Sequence, residues 1–450
     1  MANVIKLRKG LDISIEGKAK EELVSISKPK LFSLIPDDYV GVVPKVAVKE
    51  QEVVKAGTPL LFDRNNFDIK IVSPVSGVVK QIERGARRKI MNIIIEADAE
   101  QQFVDFEVKN LTDLSAEEII QTLLKSGLFA FLKERPYDVV ANPSVKPKAI
   151  FISTFDTNQL ARNFEVALKG EEDVFQYGID VLAKLAKVHL GVSAKQTSNA
   201  LTGAKNASVT LFDGPHPAGN VGVQIHHVSP INSGETVWTI DPEAVLFVGG
   251  LFKTGKVDFT RTIAIAGSEV DNPCYVKMLI GSQLTSLFEE KVKDNTKHLR
   301  YISGNVLTGR KISKDAFLGA MHTEVTVIPE GDDVHELFGW AMPRFNQYSV
   351  NRSYLTWLLP KKNYTFDARI KGGYRHMIMS NEYDKVLPMD ILPEFLIKAI
   401  IANDIDRMEQ LGIYEIAPED FALCEFVCSS KMELQRIVRE GLDSLRKEMS

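Results

Sequence analysis

Cysteine is scarce in this chain. The three that occur in 450 residues, Cys274, Cys424 and Cys428, are too few for a disulfide framework and fit a reducing compartment. Long apolar runs are missing as well. The most apolar stretches, 244–252 and 392–402, are short or interrupted by charge, whereas a bilayer-crossing helix needs about 20 apolar residues. The opening MANVIKLRKGLDISIEG has neither the apolar core nor the small-residue cleavage site of a secretory signal. No sign of charge dominates: 55 Lys and Arg stand against 59 Asp and Glu, for a net charge of −4. That balance removes nucleic acid from the expected partners and makes attraction to an anionic lipid surface weak, so that protein contact would have to supply most of any affinity for a membrane. Several catalytic signatures are absent too. There is no GxGxxG, HExxH or Ser-His-Asp arrangement, and the Gly250–Gly255 interval fails as a phosphate loop because Lys256 is followed by Val257. What remains is the composition of a globular protein of about two to four domains, 44% apolar and 25% charged.

Against these absences, one stretch is highly organised. From 43 to 95, short alternating runs (Val46/Val48, Leu60–Phe62, Ile69/Ile71, Val78–Ile82, Ile93/Ile95) are separated by AGTP, Asn65-Asn66, SPVSG and Arg84-Gly85. Period-two runs between turn residues predict half-buried strands in a small sandwich. The order of parts resembles the biotinyl/lipoyl carrier fold, whose modifiable lysine sits at a hairpin tip. Here the tip is Asn65-Asn66, suited to positive φ, and Lys70 falls inside the next strand. The swinging arm is therefore expected to be missing. Residues 1–41 are expected to add a strand or two to this sandwich, which is assigned to 1–105.

Ser115 and Glu118 have capping-box spacing. They open a helix with Ile119, Leu123 and Leu124 on its apolar face, and Gly127 is placed to end it. Strands at 149–153 and 207–212 alternate with helical periods at 159–168, 174–187 and 241–252, which predicts an α/β unit over 106–256. Strands at 260–266, 275–279 and 324–328 around a helix at 282–291 predict a β-grasp-like unit over 257–330. Beyond 331 the chain reads as helical, with a second capping box at Ser430 and Glu433. The expected fold class is multidomain α/β and α+β: a carrier-like β-sandwich (a barrel-sandwich hybrid), a Rossmann-like α/β unit, a β-grasp-like unit and a C-terminal helical region over 331–450.

The phrases KAGTPLLFDRNN, SPVSGVVKQIERGARR, SGLFAFLKERPYDVV, IFISTFDTNQLARN, LFDGPHPAGNVGVQIHH and CEFVCSSKMEL span the chain and resemble the NqrA family, one of the subunits of the bacterial sodium-translocating NADH:quinone oxidoreductases. The resemblance implies a peripheral subunit on the cytoplasmic side of a bacterial inner membrane. Its partners would be the other subunits, membrane-embedded ones included. Quinone would be the substrate, NADH would be used by the complex through another subunit, and no cofactor would be covalently bound. A more distant similarity is to the C subunit of the Rnf complex and the NADH-binding flavoprotein of respiratory complex I. Those relatives carry a GxGGAGFPT-like flavin-phosphate cradle and CxxCxxC cluster ligands. Here Gly127–Pro136 sets Leu128, Phe129, Phe131, Leu132 and Glu134 in the cradle's place. Only Cys424 and Cys428 stand in the cluster region, short of the four thiolates a [4Fe–4S] cluster needs. They are structural or vestigial, partial ligands shared with another subunit, or an adventitious metal site. The rival readings are an autonomous flavin- or cluster-bearing dehydrogenase and a purely structural scaffold.

Three histidines are the candidate quinone residues. His216 lies in the stiff loop DGPHPAGN and can hydrogen-bond a quinone carbonyl or supply a proton. His226 and His227 follow, and the alternative for them is satisfying buried polar groups at an interface. Read as extended chain, two adjacent histidines point opposite ways and make no metal site. Aromatic residues of the last third, Phe338, Trp340, Phe345, Tyr348, Tyr354 and Trp357, lie among Arg344, Arg352, Lys361 and Lys362. They suit either docking on a membrane-embedded partner or an ordinary helical core.

Overall fold

The computed structural model describes residues 3–294, 296–332, 338, 342–359 and 362–449. The alternating runs of the first hundred residues form two small sheets. One pairs Leu31–Leu34, Ile90–Ala97, Gly77–Arg84 and Val53–Val54 in that order; the other pairs Pro44–Val46, Pro59–Asp63 and Lys70–Val72. Their inward residues, Val54, Leu60, Ile71, Val79 and Ile93 among them, share one buried core. The hairpin tip differs from expectation in its turn chemistry, since neither asparagine adopts positive φ. Asn66 closes the turn with its side chain, its Oδ1 accepting from Asp68 N at 3.1 Å, while Ile69 N donates to its carbonyl.

Residues 1–41 do not join the sandwich as a block. Leu31–Leu34 does, but Asn3–Lys6 runs parallel to Ala207–Asp213, and Leu23–Val24 pairs with Cys274–Leu279. The N-terminal segment thus enters all three regions.

The second sheet has seven strands in the order Asn3–Lys6, Ala207–Asp213, Lys187–Ser193, Ala149–Ser153, Val237–Thr239, Lys133–Arg135, Val139–Val140. The first five are mutually parallel and the last two antiparallel. The predicted capping box opens the helix Ala116–Ser126, with Glu118 N donating to Ser115 Oγ and Ser115 N to Glu118 Oε2, and Gly127 ends it at φ 77°. The helices Glu172–Ala183 and Pro242–Thr254 meet through Gly178 and Gly249 at backbone distance: a Cβ on Gly249 would lie 2.0 Å from Val174 O. The helix expected over 159–168 is confined to Phe164–Leu168, because Asn163 caps it by accepting from Glu165 N.

The third sheet is a six-stranded half-barrel in the order Arg310–Ile312, Leu299–Ser303, Glu324–Pro329, Thr260–Ala266, Cys274–Leu279, Leu23–Val24. The helix Thr285–Lys291 packs Leu287 and Phe288 into its core. Leu299–Ser303 and Arg310–Ile312 are strands that periodicity did not reveal. In the C-terminal region, regular helix begins only at Tyr383–Val386, followed by Pro393–Ile401, Ile405–Gln410, Ala422–Val427 and Leu434–Glu448; the described part of 342–382 holds one 3₁₀ turn, Leu355–Leu358. The second capping box does not form. Ser430 Oγ donates to His376 O instead, and the last helix starts at Leu434. The architecture is that of a mixed α/β multidomain chain with a barrel-sandwich N-terminal part and a half-barrel sheet.

Candidate functional site

In parallel α/β sheets, ligands bind beyond the carboxyl ends of the strands where strand order reverses. In the seven-stranded sheet that point lies between Ala149–Ser153 and Val237–Thr239. A cavity of about 250 Å³ opens there, lined by Thr154, Asp156, Arg162, Asn220 and Asp241, with Arg135 and Glu419 closing it from the side. Its walls are charged and mutually paired. Arg135 is buried and reaches Glu419 at 2.9 Å, Asp420 at 3.4 Å and Asp138 at 3.5 Å. Arg162 meets Glu243 at 2.9 Å, and Arg261 meets Asp241 at 3.1 Å. Glu419, with its side chain 40% exposed, is still raised by the desolvation of its inner face against the pull of Arg135. Burial also raises Asp241, but Arg261 and Arg162 outweigh it and hold that carboxyl low. Beside this network, Glu324 is buried with neither oxygen hydrogen-bonded, and burial, reinforced by Asp156, lifts it to about 8 against the pull of Arg162.

The segment 127–136 borders the same cavity. Leu128–Phe131 forms a 3₁₀ turn in which Ala130 N donates to Gly127 O, and the following Leu132 N donates to Phe129 O. Phe129 lies edge-on to Trp238 at 5.5 Å, and Phe131 stacks on Phe259 at 5.8 Å. With the Phe129 and Phe131 rings packed where a phosphate would lie and no glycine between Gly127 and Pro136 to let the backbone approach one, this segment does not fit a flavin phosphate. Glu134 serves the fold, accepting from Asn142 N at 2.9 Å.

A second, larger cavity of about 660 Å³ lies between the C-terminal helices and the half-barrel. Tyr348, Tyr354, Phe366, Phe426 and Met432 give it apolar walls, while Arg300, Gln347, Arg369 and Gln435 supply polar groups. The Tyr348 ring sits 5.7 Å from Phe366 and 6.5 Å from Phe426. Gln347 Oε1 is buried without a hydrogen-bond partner. Flat rings around an unsatisfied amide can hold a planar ligand bearing polar edge atoms.

None of the three candidate histidines lines either cavity. His216 is buried, with Nδ1 3.1 Å from Thr157 Oγ1 and its backbone N–H donating to Asp12 Oδ1. Burial lowers its pKa although Asp156 and Asp12 oppose. His226 and His227 are not on extended chain. They lie on the helix Val221–Val228, with rings 5.1 Å apart. His226 uses both nitrogens: Nε2 accepts from Asp390 N at 3.0 Å, so Nδ1 carries the proton to Glu415 Oε2 at 2.6 Å. That clips the helix to the C-terminal region. His227 Nδ1 donates back to Val223 O, one turn earlier on the same helix.

Three family models match in sequence order: the NqrA N-terminal barrel-sandwich hybrid domain over residues 5–98, the NqrA second alpha/beta domain over 114–257, and the NQRA C-terminal domain over 262–314. Full-length relatives agree. The chain is 36% identical over 452 aligned positions to the A subunit of the Na(+)-translocating NADH-quinone reductase of Yersinia pestis bv. Antiqua (strain Angola), covering 99% of this chain and 100% of that protein. The corresponding protein of Vibrio atlanticus (strain LGP32), which carries the same name, is 35% identical over 448 positions, with the same coverage of both. The chain belongs to the NqrA family. A crystal structure of an NAD+-reducing [NiFe]-hydrogenase in the air-oxidized state aligns with 51% of the chain and 52% of its own, at 13% identity and a TM-score of 0.31.

In this NqrA-family chain the C-terminal cysteines are core residues. Cys428 Sγ lies 2.9 Å from Tyr383 OH and accepts from Met432 N; Cys424 is buried beside the Tyr383 carbonyl, and burial pushes its thiol up. Among the described residues no group of three or more His, Cys, Asp or Glu side chains is placed to hold a metal ion. Tyr348 and Tyr354, expected at a docking face or in a helical core, line the cavity, together with Phe366, Phe426 and Gln435, which no sequence pattern marks. Long-range folding brings them together. Trp340 and Lys361, named with the same aromatic-basic set, lie outside the described residues.

Proposed function

We propose that this chain is the peripheral NqrA component of a sodium-pumping NADH:quinone oxidoreductase and that it takes up quinone in the aromatic cavity between the C-terminal helices and the half-barrel. The observation that carries the quinone assignment is the ring set Tyr348, Phe366 and Phe426 in one cavity with the buried, unpartnered Gln347 Oε1. Stacking would hold the ring, and Gln347 Oε1, an acceptor, would take a hydrogen bond from a hydroxyl of the reduced quinol. NADH oxidation falls to another subunit, since the segment 127–136 offers no flavin cradle. The units are taken as 1–105, 106–256 (Rossmann-like), 257–330 (β-grasp-like) and 331–450. The strand order 207–213, 187–193, 149–153, 237–239 supports the second of these. Among the described residues no helix is long and apolar enough to cross a membrane. Attachment at the cytoplasmic face of a bacterial inner membrane, through membrane-embedded partner subunits, accords with that.

Titration of the isolated chain with a short-tailed quinone, followed by intrinsic fluorescence, tests the reading. Tyr348→Ala is expected to weaken binding about tenfold, the scale of one aromatic contact, and His216→Ala, His226→Ala and His227→Ala to leave it unchanged. Loss of binding in His216→Ala with Tyr348→Ala unaffected would return the site to the DGPHPAGN loop. No saturable binding at all would leave the chain a scaffold.

A further inference from the structure

The net charge of −4 conceals a concentration of positive charge. Segment 342–379 holds seven lysines and arginines against one aspartate, Asp367. The same segment exposes large apolar side chains: Phe345, Trp357, Leu358, Ile370, Tyr374 and Ile378 are each 50% to 68% exposed. The fold presents part of this set actively. In the 3₁₀ turn Leu355–Leu358, Thr356 is buried and acts as the anchor, leaving Trp357 and Leu358 outward. Cations ride on the rings, with the Arg352 guanidinium 5.1 Å from the centroid of Trp357 and Lys362 Nζ 5.2 Å from that of Tyr364.

We propose that this surface docks directly on the anionic lipid headgroups of the membrane, with Trp357 and Leu358 entering the interface. Basic residues with Trp, Tyr and Leu at their side are the composition that partitions there. The choice of lipid over a protein partner rests on the quinone reading above. Ile370 and Tyr374 belong both to the exposed set and to the lining of the aromatic cavity, and Tyr354, next to the turn that carries Trp357, lines it too, so whatever covers that part of the segment also borders the cavity. A quinone with a long isoprenoid tail resides in the bilayer, and a cavity opening beside the lipid surface receives the ring without drawing the tail through water.

The test is sedimentation of the full chain with vesicles of mixed phosphatidylethanolamine and phosphatidylglycerol, and separately with phosphatidylcholine alone. Binding is expected only to the anionic vesicles and should weaken as salt rises from about 0.05 to about 0.5 M. Each basic residue at the surface contributes about fivefold in partitioning, so Arg352→Glu with Lys362→Glu should lower it at least about 25-fold. Trp357→Ser with Leu358→Ser should lower it without altering the salt dependence, and gives an independent reading if the charge variant folds poorly. Failure to bind anionic vesicles, equal binding to phosphatidylcholine, or indifference to both variants would overturn the proposal and hand the surface to a protein partner in the complex. Quinone titration in detergent keeps the two readings apart. Quinone binding without vesicle binding removes the lipid surface alone, and vesicle binding without quinone binding removes the cavity assignment alone.

Discussion

Glu324 offers the sharpest test of the electrostatics. It opens the strand Glu324–Pro329, is 3% exposed, and neither carboxylate oxygen has a partner. Burial, with Asp156 adding repulsion, raises its pKa from 4.5 to about 8. The folded chain therefore holds a proton there at neutral pH that the unfolded chain has released. Between those two values the native state binds more protons, so this group's contribution favours folding at acid pH and is lost as pH rises through about 8. At about 1.4 kcal/mol per pKa unit the span sets a ceiling of about 5 kcal/mol on the loss. Glu324→Gln keeps the shape and removes the titration. Unfolding entropy of about 2 cal/mol/K per residue converts 1 kcal/mol to about 1 °C in a chain of this size. The variant should thus match the native chain near pH 5 and exceed its Tm by about 2–5 °C at pH 9. Thermal melts of both proteins across that range read the difference directly, because every other titrating group is shared. Parallel Tm–pH curves would refute the reasoning and mean that Glu324 finds a counter-charge or water when ionised.

Arg135→Met should destabilise the chain by about 3–5 kcal/mol, because it strips the counter-charge from Asp138 and Asp420 in a buried site. The shift should appear in the denaturant midpoint, and a change below about 1 kcal/mol would show that those acids simply take up protons. Gly249→Ala should cost about 1–3 kcal/mol by driving a Cβ onto the Val174 carbonyl. Gly250→Ala, whose Cβ meets nothing within 4 Å, should instead stabilise by up to about 1 kcal/mol through helix propensity. Equal effects at the two positions would contradict the helix crossing.

What could be read from the chain depended on how local its cause is. The Ser115/Glu118 capping box and the strand Thr260–Ala266 were legible because the residues that make them are neighbours in sequence. The Ser430/Glu433 spacing was equally suggestive and misled, since Ser430 had a better acceptor in the distant His376 carbonyl. The helix holding His226 and His227 was hidden by its start. Asn220 makes no capping bond to the helix and spends its amide on Glu419 O, and the preceding glycines and prolines read as loop. The barrel-sandwich part was visible from alternation and turn spacing. The aromatic cavity was not, because its walls come from Ile13, Arg300, Tyr348 and Phe426, and no local pattern marks a wall assembled from four regions.

The path of the first thirty residues bears on how the molecule is made. Asn3–Lys6 leaves the ribosome some two hundred residues ahead of its partner strand Ala207–Asp213, and Leu23–Val24 waits longer still for Cys274–Leu279. The sandwich can close while both ends of the opening segment are still unpaired, so synthesis order and assembly order part company. Such distant pairings are slow to form and leave strand edges open to wrong partners in the interval. Expression of the first hundred residues alone would carry away the edge strands of two other sheets and leave each with a new open edge.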